Sequence, residues 1–88
     1  MPEVILSLRF KAAYRSLPKE IRIKVQKALR LLAENPAHPS LRSKPIQGIK
    51  GVYEISPDRR YRITYERLPG DLLLVRVVGI HDDALKNP

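Results

Sequence analysis

The sequence predicts a small two-layer α+β domain in which a helical pair packs on a mostly antiparallel sheet, in the order β-α-α-β-β-β. Two observations predict this class. Before Asn35 most apolar residues recur at helical spacing, whereas after Lys50 they alternate with a period of two. The length of 88 residues suits one domain, residues 1–88, with a single modest core.

The first half of the chain predicts one strand and two helices. A short apolar run at Val4 suggests the strand, and the apolar residues from Phe10 to Leu17 follow the spacing of a helix of about two turns. The segment "PKEIRIKVQKALRLLAEN" predicts the second helix, since Pro18 suits a first turn and Asn35 before Pro36 ends it. The predicted buried stripe of this helix consists of Ile21, Val25, Ala28 and Leu32.

The second half predicts a loop followed by three strands. Residues 36–49 carry three prolines and a glycine, which indicates an irregular connection. Period-two alternation then predicts strands at "VYEIS" and "YRITYE", separated by "SPDRR". "LPGD" fits a type II turn with Gly70 at the position of positive φ. The run "LLLVRVVGI" predicts a strand covered on both faces, with Arg76 near its rim.

Composition narrows the classes of partner. The 17 Lys and Arg residues outnumber nine Asp and Glu, for a net charge of +8, which favours nucleic acid or an acidic protein over a membrane surface. The alternative is that the surplus charge only maintains solubility. No apolar run approaches the roughly 18 residues that span a bilayer, so a cytoplasmic protein is expected.

Three side chains suggest chemistry on RNA. Arg60, Arg62 and His81 would share the sheet face, or its rim, that the helices leave free. Histidine suits proton transfer near neutral pH, and arginine can pair two oxygens of a charged phosphate. The alternatives are a hydrogen bond from His81 to Asp82 or Asp83, and a cross-strand ion pair of Arg62 with Glu54. "HDD" is not expected to bind metal, because adjacent strand residues point to opposite faces.

A basic patch surrounds these residues. It combines the loop and the first hairpin, where tyrosines interleave with basic side chains, a pattern compatible with stacking on unpaired bases. Tyrosines that alternate along a strand are more often part of a core than a stacking platform. The patch consists of Arg42, Lys44, Lys50, Arg59, Arg60 and Arg67, with Tyr53, Tyr61 and Tyr65. His38 is expected to have a structural role.

The element order and several motifs resemble the RelE/ParE superfamily of toxins from toxin–antitoxin systems. The motifs are "NPAHPSLRSKPIQGIKGVYEI", "YRITYE" and "VVGIHDD", and together with the element order the resemblance spans nearly the whole chain. The resemblance implies a basic toxin neutralised by a cognate antitoxin. RelE-like members cut mRNA in the ribosomal A site without a metal or small-molecule cofactor, whereas ParE-like members inhibit DNA gyrase.

The resemblance also implies site residues. Arg62 matches the arginine that binds phosphate, His81 the proton-transfer residue after the last strand, and Lys44 a charged residue of the loop. The residues expected to bind RNA around them are Arg42, Lys50, Arg59, Arg60 and Tyr53.

The chain departs from the family pattern at two places. Glu54 and Ser56 replace lysines that some RelE-like enzymes carry on the second strand, and Leu85 and Asn87 stand where many have an aromatic residue. A gyrase inhibitor, or a member that only binds its antitoxin, therefore stays an alternative. The expected partners of the nuclease are the antitoxin, the ribosome and its mRNA, with no membrane.

Overall fold

The computed structural model describes residues 2–88. It confirms a small α+β fold with helices on a mostly antiparallel sheet. The elements are β1 (Glu3–Leu6), α1 (Leu8–Arg15), α2 (Lys19–Glu34), a 3-10 turn (Pro39–Leu41), β2 (Lys44–Pro45), β3 (Val52–Ile55), β4 (Tyr61–Leu68), β5 (Leu72–Ile80) and α3 (His81–Lys86). The predicted order β-α-α-β-β-β is therefore present with two additions, the short strand β2 and the C-terminal helix α3.

The strands form one sheet in the order β1-β5-β4-β3-β2. Strand β5 pairs in parallel with β1 and antiparallel with β4, and the two remaining pairings are antiparallel. The helical pair connects β1 to the rest of the sheet. Such a crossover allows β1 to pair in parallel with β5, because parallel neighbours need a long connection.

The core lies between the helical pair and one face of the sheet. The helical stripe predicted from the sequence is confirmed, since Ile21, Val25, Ala28 and Leu32 are the buried residues of α2. On the sheet side the core receives Ile55 from β3 and Ile63 and Tyr65 from β4, all fully buried. Residues of opposite parity on these strands therefore point to the other face, here called the distal face.

The strand β5 contains a register shift that the sequence did not reveal. Thr64 pairs with Val77 and Tyr65 pairs with Val75, so Arg76 is the extra residue of a β-bulge. The bulge turns both Val75 and Val78 toward the core. The Arg76 side chain pairs with Glu66, and its Nη1 lies 2.8 Å from Glu66 Oε1.

Part of the distal face is covered by α3. Ala84 of this helix is buried, and an added Cβ on Gly79 of β5 would lie 3.9 Å from the Ala84 Cβ. The segment after α3 lies on the same face, because the main-chain oxygen of Pro88 accepts hydrogen bonds from Thr64 Oγ1 and Arg76 Nε, each at 3.0 Å. The distal face is therefore less open than the sequence predicted, and β5 is covered on both sides as expected.

Candidate functional site

Three charged side chains lie together on the distal face. Strand pairing explains their proximity: Lys44 of β2 is opposite Glu54 of β3, and Glu54 is opposite Thr64, two residues from Arg62 on β4. The Arg62 Nε lies 3.5 Å from Glu54 Oε1, and the Lys44 Nζ lies 3.9 Å from the same oxygen. The Glu54 side chain is only 7% exposed, so one buried carboxylate faces two cations.

The guanidinium of Arg62 is held by the hairpin that precedes it. Its Nη1 donates to the carbonyl of Tyr61 at 2.7 Å and approaches the carbonyls of Asp58 and Arg59 at 3.2 Å. Its Nε is buried and forms no hydrogen bond within residues 2–88. A buried donor without an acceptor at hydrogen-bond distance costs about 1–3 kcal/mol, and here the Glu54 carboxylate 3.5 Å away compensates the charge of the donor.

The hairpin between β3 and β4 is itself fixed to α2. Asp58 accepts a hydrogen bond from the Arg60 main-chain N–H at 2.9 Å, and its Oδ2 lies 2.7 Å from Lys24 Nζ. The Arg60 N–H, together with the Lys24 ammonium, holds the pKa of Asp58 below its ordinary value. These contacts determine where the carbonyls around Arg62 lie.

His81 is the first residue of α3 rather than the last of a strand. Its main-chain N–H donates to the carbonyl of Arg60 at 2.7 Å, one position beyond the last β4–β5 pair, Tyr61 with Ile80. The main chains of Arg60 and His81 are neighbours, and Arg62 is opposite Gly79. Within residues 2–88 no hydrogen bond or ion pair joins the side chains of Arg60, Arg62 and His81, so their predicted grouping stays a prediction.

The His81 ring contacts a carboxylate. Its Nδ1 lies 3.0 Å from Asp82 Oδ1, which is the neighbour contact foreseen as an alternative. A carboxylate beside Nδ1 favours the tautomer with the proton on that nitrogen. The other ring nitrogen, Nε2, is then a proton acceptor, and the half-exposed side chain leaves it accessible.

A cleft of about 330 Å³ opens beside Arg62. It is lined by Arg42, Ser56, Asp58, Arg59 and Arg62, and it is called the arginine cleft below. Arg42 enters from the loop before β2, where it has a left-handed conformation with φ of 50° after the 3-10 turn. Three guanidinium groups around one cleft can bind a polyanion such as a phosphate chain.

The remaining predicted residues are more dispersed. Tyr53 points to the core side of the sheet, where it stacks on Tyr65 with ring centroids 5.5 Å apart and carries the Arg67 guanidinium 4.4 Å from its centroid. It therefore does not share a face with Arg62, because alternate strand residues diverge. Lys50 is exposed in the turn before β3.

Sequence reasoning missed the central place of Glu54. The sequence had indicated a cross-strand ion pair of Glu54 with Arg62. The additional contact of Glu54 with Lys44 was not predicted, because it depends on the short strand β2. Within residues 2–88 no group of three or more His, Asp or Glu side chains could hold a metal ion. In the same described range, no helix is long and apolar enough to cross a membrane.

The sheet, the helical pair and the arginine cleft define a class of small basic α+β domains. No protein-family model and no curated protein sequence matches the chain. Solved structures do match, and several of them are described as toxins or as toxin–antitoxin complexes. The chain has the RelE-like fold.

Three of these structures illustrate the likeness. The Escherichia coli YafQ toxin has a TM-score of 0.76 at 19% identity, with 94% of this chain and 97% of that chain covered. RelE in the RelB–RelE complex of Methanococcus jannaschii has a TM-score of 0.76 at 21% identity, covering 96% and 99%. The YoeB/ParE toxin of Agrobacterium tumefaciens has a TM-score of 0.75 at 17% identity, covering 90% and 98%.

Proposed function

We propose that this chain is the cytoplasmic toxin of a type II toxin–antitoxin pair and that it cleaves mRNA in the A site of the ribosome. The support is the RelE-like fold, shared with toxins that have been solved alone and bound to antitoxins, combined with the arginine cleft. The observation that carries the proposal is the cleft itself, a cavity of about 330 Å³ that is lined by the guanidinium groups of Arg42, Arg59 and Arg62. A scissile phosphate in this cleft would face three cations.

The proposed reaction is an internal transesterification. The ribose 2′-oxygen attacks the adjacent phosphorus and loses its proton to a base, and the bond to the 5′-oxygen breaks as that oxygen gains a proton. The products are a 2′,3′-cyclic phosphate and a 5′-hydroxyl. The side chains needed are a proton acceptor, a proton donor and cations that stabilise the five-coordinate phosphorus.

In this proposal Arg62 neutralises the phosphate together with Lys44. The guanidinium has a fixed position because Nη1 is bound to hairpin carbonyls, and its other terminal nitrogen, Nη2, forms no hydrogen bond within residues 2–88. Glu54 acts as a positioning residue, since its Oε1 faces both cations. Arg42, Arg59, Arg60 and Lys50 would hold the RNA backbone. Tyr53 is not proposed as a stacking residue, since Tyr65 and Arg67 already contact its ring.

His81 is the proposed proton-transfer residue. Asp82 beside Nδ1 leaves Nε2 as the accepting nitrogen of the neutral ring, and the exposure of the ring allows a substrate to approach. Glutamine at this position keeps a polar side chain of similar reach but has no group that titrates near neutral pH. The variant His81→Gln therefore removes proton transfer while leaving the Arg62 site unchanged.

The test is primer extension on a defined mRNA in a reconstituted translation system containing a chelator. Wild type is expected to produce cuts that require the ribosome, and His81→Gln to reduce the cutting rate by about 10²–10⁴-fold, the usual contribution of a proton-transfer group. An Asp83→Asn variant, which changes an exposed neighbour of His81, is the matched control and should cut normally. Equal cutting by wild type and His81→Gln would refute the assignment of His81.

A gyrase-inhibiting toxin is the second candidate. The observation in its favour is that Arg62 Nη1 is already bound to three hairpin carbonyls and that Glu54 opposes the same side chain. The neighbouring A. tumefaciens structure is described as a YoeB/ParE toxin, so the fold does not separate the two activities. Inhibition of DNA supercoiling by the purified protein, with no mRNA cleavage, would favour this candidate. A chain that does neither, and is not toxic without its antitoxin, would be one that only binds that partner.

A further inference from the structure

A second pocket lies on the other side of the loop that carries Arg42. It has a volume of about 320 Å³ and is lined on its polar side by His38, Arg42, Tyr53 and Arg67. Much of the remaining wall consists of Pro36, Pro39 and Pro45. It is called the proline pocket below. Arg42 lines both this pocket and the arginine cleft, so the two cavities meet at one side chain.

The cations of the proline pocket have no acidic partner. Within residues 2–88, neither Arg42 nor Arg67 forms an ion pair, whereas Arg62 and Arg76 each face a glutamate. Both side chains belong to exposed residues. The pocket therefore presents positive charge that the described chain does not neutralise, which is the condition for binding an anion.

Arg67 is held in place before any ligand arrives. Its guanidinium lies 4.4 Å from the centre of the Tyr53 ring, and that ring stacks on the fully buried Tyr65. The Tyr65 hydroxyl is in turn 2.7 Å from Ser43 Oγ. A cation fixed over an aromatic ring loses less side-chain entropy on binding a phosphate than a mobile surface arginine does.

His38 adds a hydrogen-bond donor. Its Nδ1 accepts a hydrogen bond from the Ser40 main-chain N–H at 3.1 Å, so the neutral ring carries its proton on Nε2. Arg42 ends the 3-10 turn in a left-handed conformation, and its main-chain N–H donates to the Pro39 carbonyl at 3.2 Å, which fixes the point from which its side chain extends. The pocket thus offers two guanidinium groups and an imidazole N–H to one ligand.

We infer that single-stranded RNA in the arginine cleft continues past Arg42 and places a further backbone phosphate in the proline pocket. The inference rests on the proposed function, because it takes the RNA in the cleft as given. Arg67 and His38 would bind this second phosphate, and Arg42 would lie between the two phosphates. Phosphate suits the pocket better than a base does, since the Tyr53 ring is already in contact with Tyr65 and Arg67.

The test measures binding of 2′-O-methylated oligonucleotides, which lack the attacking hydroxyl and cannot be cleaved. The probes are a dinucleotide and an oligonucleotide of about eight residues, a length within the usual range of single-strand binding sites. Fluorescence anisotropy over a series of salt concentrations gives the affinity and its salt slope. The variants are Arg67→Gln and Arg42→Gln. Arg30→Gln, which removes the same charge from an exposed position on α2, is the matched control.

The expected pattern separates the two pockets. Arg67→Gln should weaken binding of the longer probe roughly three- to tenfold and lower its salt slope by about 0.7, the value for one ionic contact to a single strand. The same variant should bind the dinucleotide like wild type. Arg42→Gln should weaken both probes, because Arg42 lines both cavities, and Arg30→Gln should weaken neither. Melting temperatures of all variants confirm that they are folded.

Three results would overturn a part of this reasoning. If wild type binds neither probe, the second phosphate site fails, whereas the proposed function is judged separately by the ribosome-dependent primer extension. If wild type binds both probes and Arg67→Gln equals wild type on the longer one, only the second phosphate site fails. If Arg67→Gln weakens binding of an oligoglutamate of about eight residues but not of RNA, the proline pocket binds an acidic peptide instead.

Discussion

Replacing Arg62 by alanine is expected to destabilise the fold as well as the proposed site. The side chain is 18% exposed, and it donates to main-chain carbonyls of the β3–β4 hairpin while facing the buried carboxylate of Glu54. Arg62→Ala removes these hydrogen bonds and leaves Glu54 opposed only by Lys44, whose side chain is 69% exposed and 3.9 Å away.

The size of the effect can be estimated from these contacts. A hydrogen bond from a charged donor contributes about 1.5–3 kcal/mol, and removing one partner of a fully buried ion pair costs about 3–5 kcal/mol. The Nε to Oε1 separation of 3.5 Å is long, and the pair is not fully buried, so the lower part of the range applies. We expect a loss of about 2–4 kcal/mol in the free energy of unfolding, or roughly 8–30 °C in Tm for a chain of this size.

The assay is urea and thermal unfolding followed by circular dichroism. Arg59→Ala is the matched control, since Arg59 lines the same cleft but is exposed and has no ion pair in the described chain; it should change stability by less than about 0.5 kcal/mol. Glu54→Gln in the Arg62→Ala background removes the uncompensated charge and should restore about 1–2 kcal/mol. If Arg62→Ala is as stable as Arg59→Ala, the role of Arg62 in the hairpin is refuted.

Two further predictions concern the elements on either side of the site. The Arg60 N–H and Lys24 lower the pKa of Asp58 in the folded state. The Asp58 carboxylate therefore stabilises the fold at pH values above its ordinary pKa of about 3.9, and this stabilisation is lost as the pH falls through the lowered pKa. Acid unfolding of wild type should show this loss of stability, and Asp58→Asn should reduce the dependence of stability on pH. If the pH dependence of Asp58→Asn equals that of wild type, the Asp58 contacts do not have this role. At Gly79, alanine would contact Ala84 at an ordinary 3.9 Å and should be neutral or stabilising by about 0.5 kcal/mol, whereas valine should cost about 1–3 kcal/mol and expose α3 to hydrogen exchange. Equal protection of α3 in the two Gly79 variants would contradict its packing over that residue.

The fold could be predicted where one period dominates a segment. The helix α2 has a buried stripe that recurs over 16 residues, and β5 has a run of apolar residues too long to be solvated on either side. The strand β2 could not be predicted, because two residues that include Pro45 show no period. The helix α3 is six residues long and buries only Ala84, although Asp82 and Asp83 in its first turn and Lys86 in its last turn agree with the helix dipole.

The candidate site was predicted less completely than the fold, for a physical reason. Alternation along a strand places Glu54 and Arg62 on one face, and that part of the site follows from the sequence. The approach of Arg42 to the same cleft depends on the path of a loop with three prolines, which has no periodicity. The bulge at Arg76 was hidden because apolar residues on both sides of it satisfy either register.

The contacts of Arg62 have very different lengths, and the difference bears on its proposed role. The bond from Nη1 to the Tyr61 carbonyl is 2.7 Å, whereas Nε is 3.5 Å from Glu54, well beyond the 2.7–2.9 Å of a strong charge-assisted hydrogen bond. The hairpin therefore fixes where the guanidinium lies, and the carboxylate compensates its charge without using its donors. An incoming phosphate would have to displace only the weaker of these contacts. If Glu54 lay at hydrogen-bond distance instead, Arg62 would belong to a structural ion pair. Tighter RNA binding by a Glu54→Gln variant would therefore indicate that the carboxylate competes with phosphate for Arg62, as a phosphate site requires.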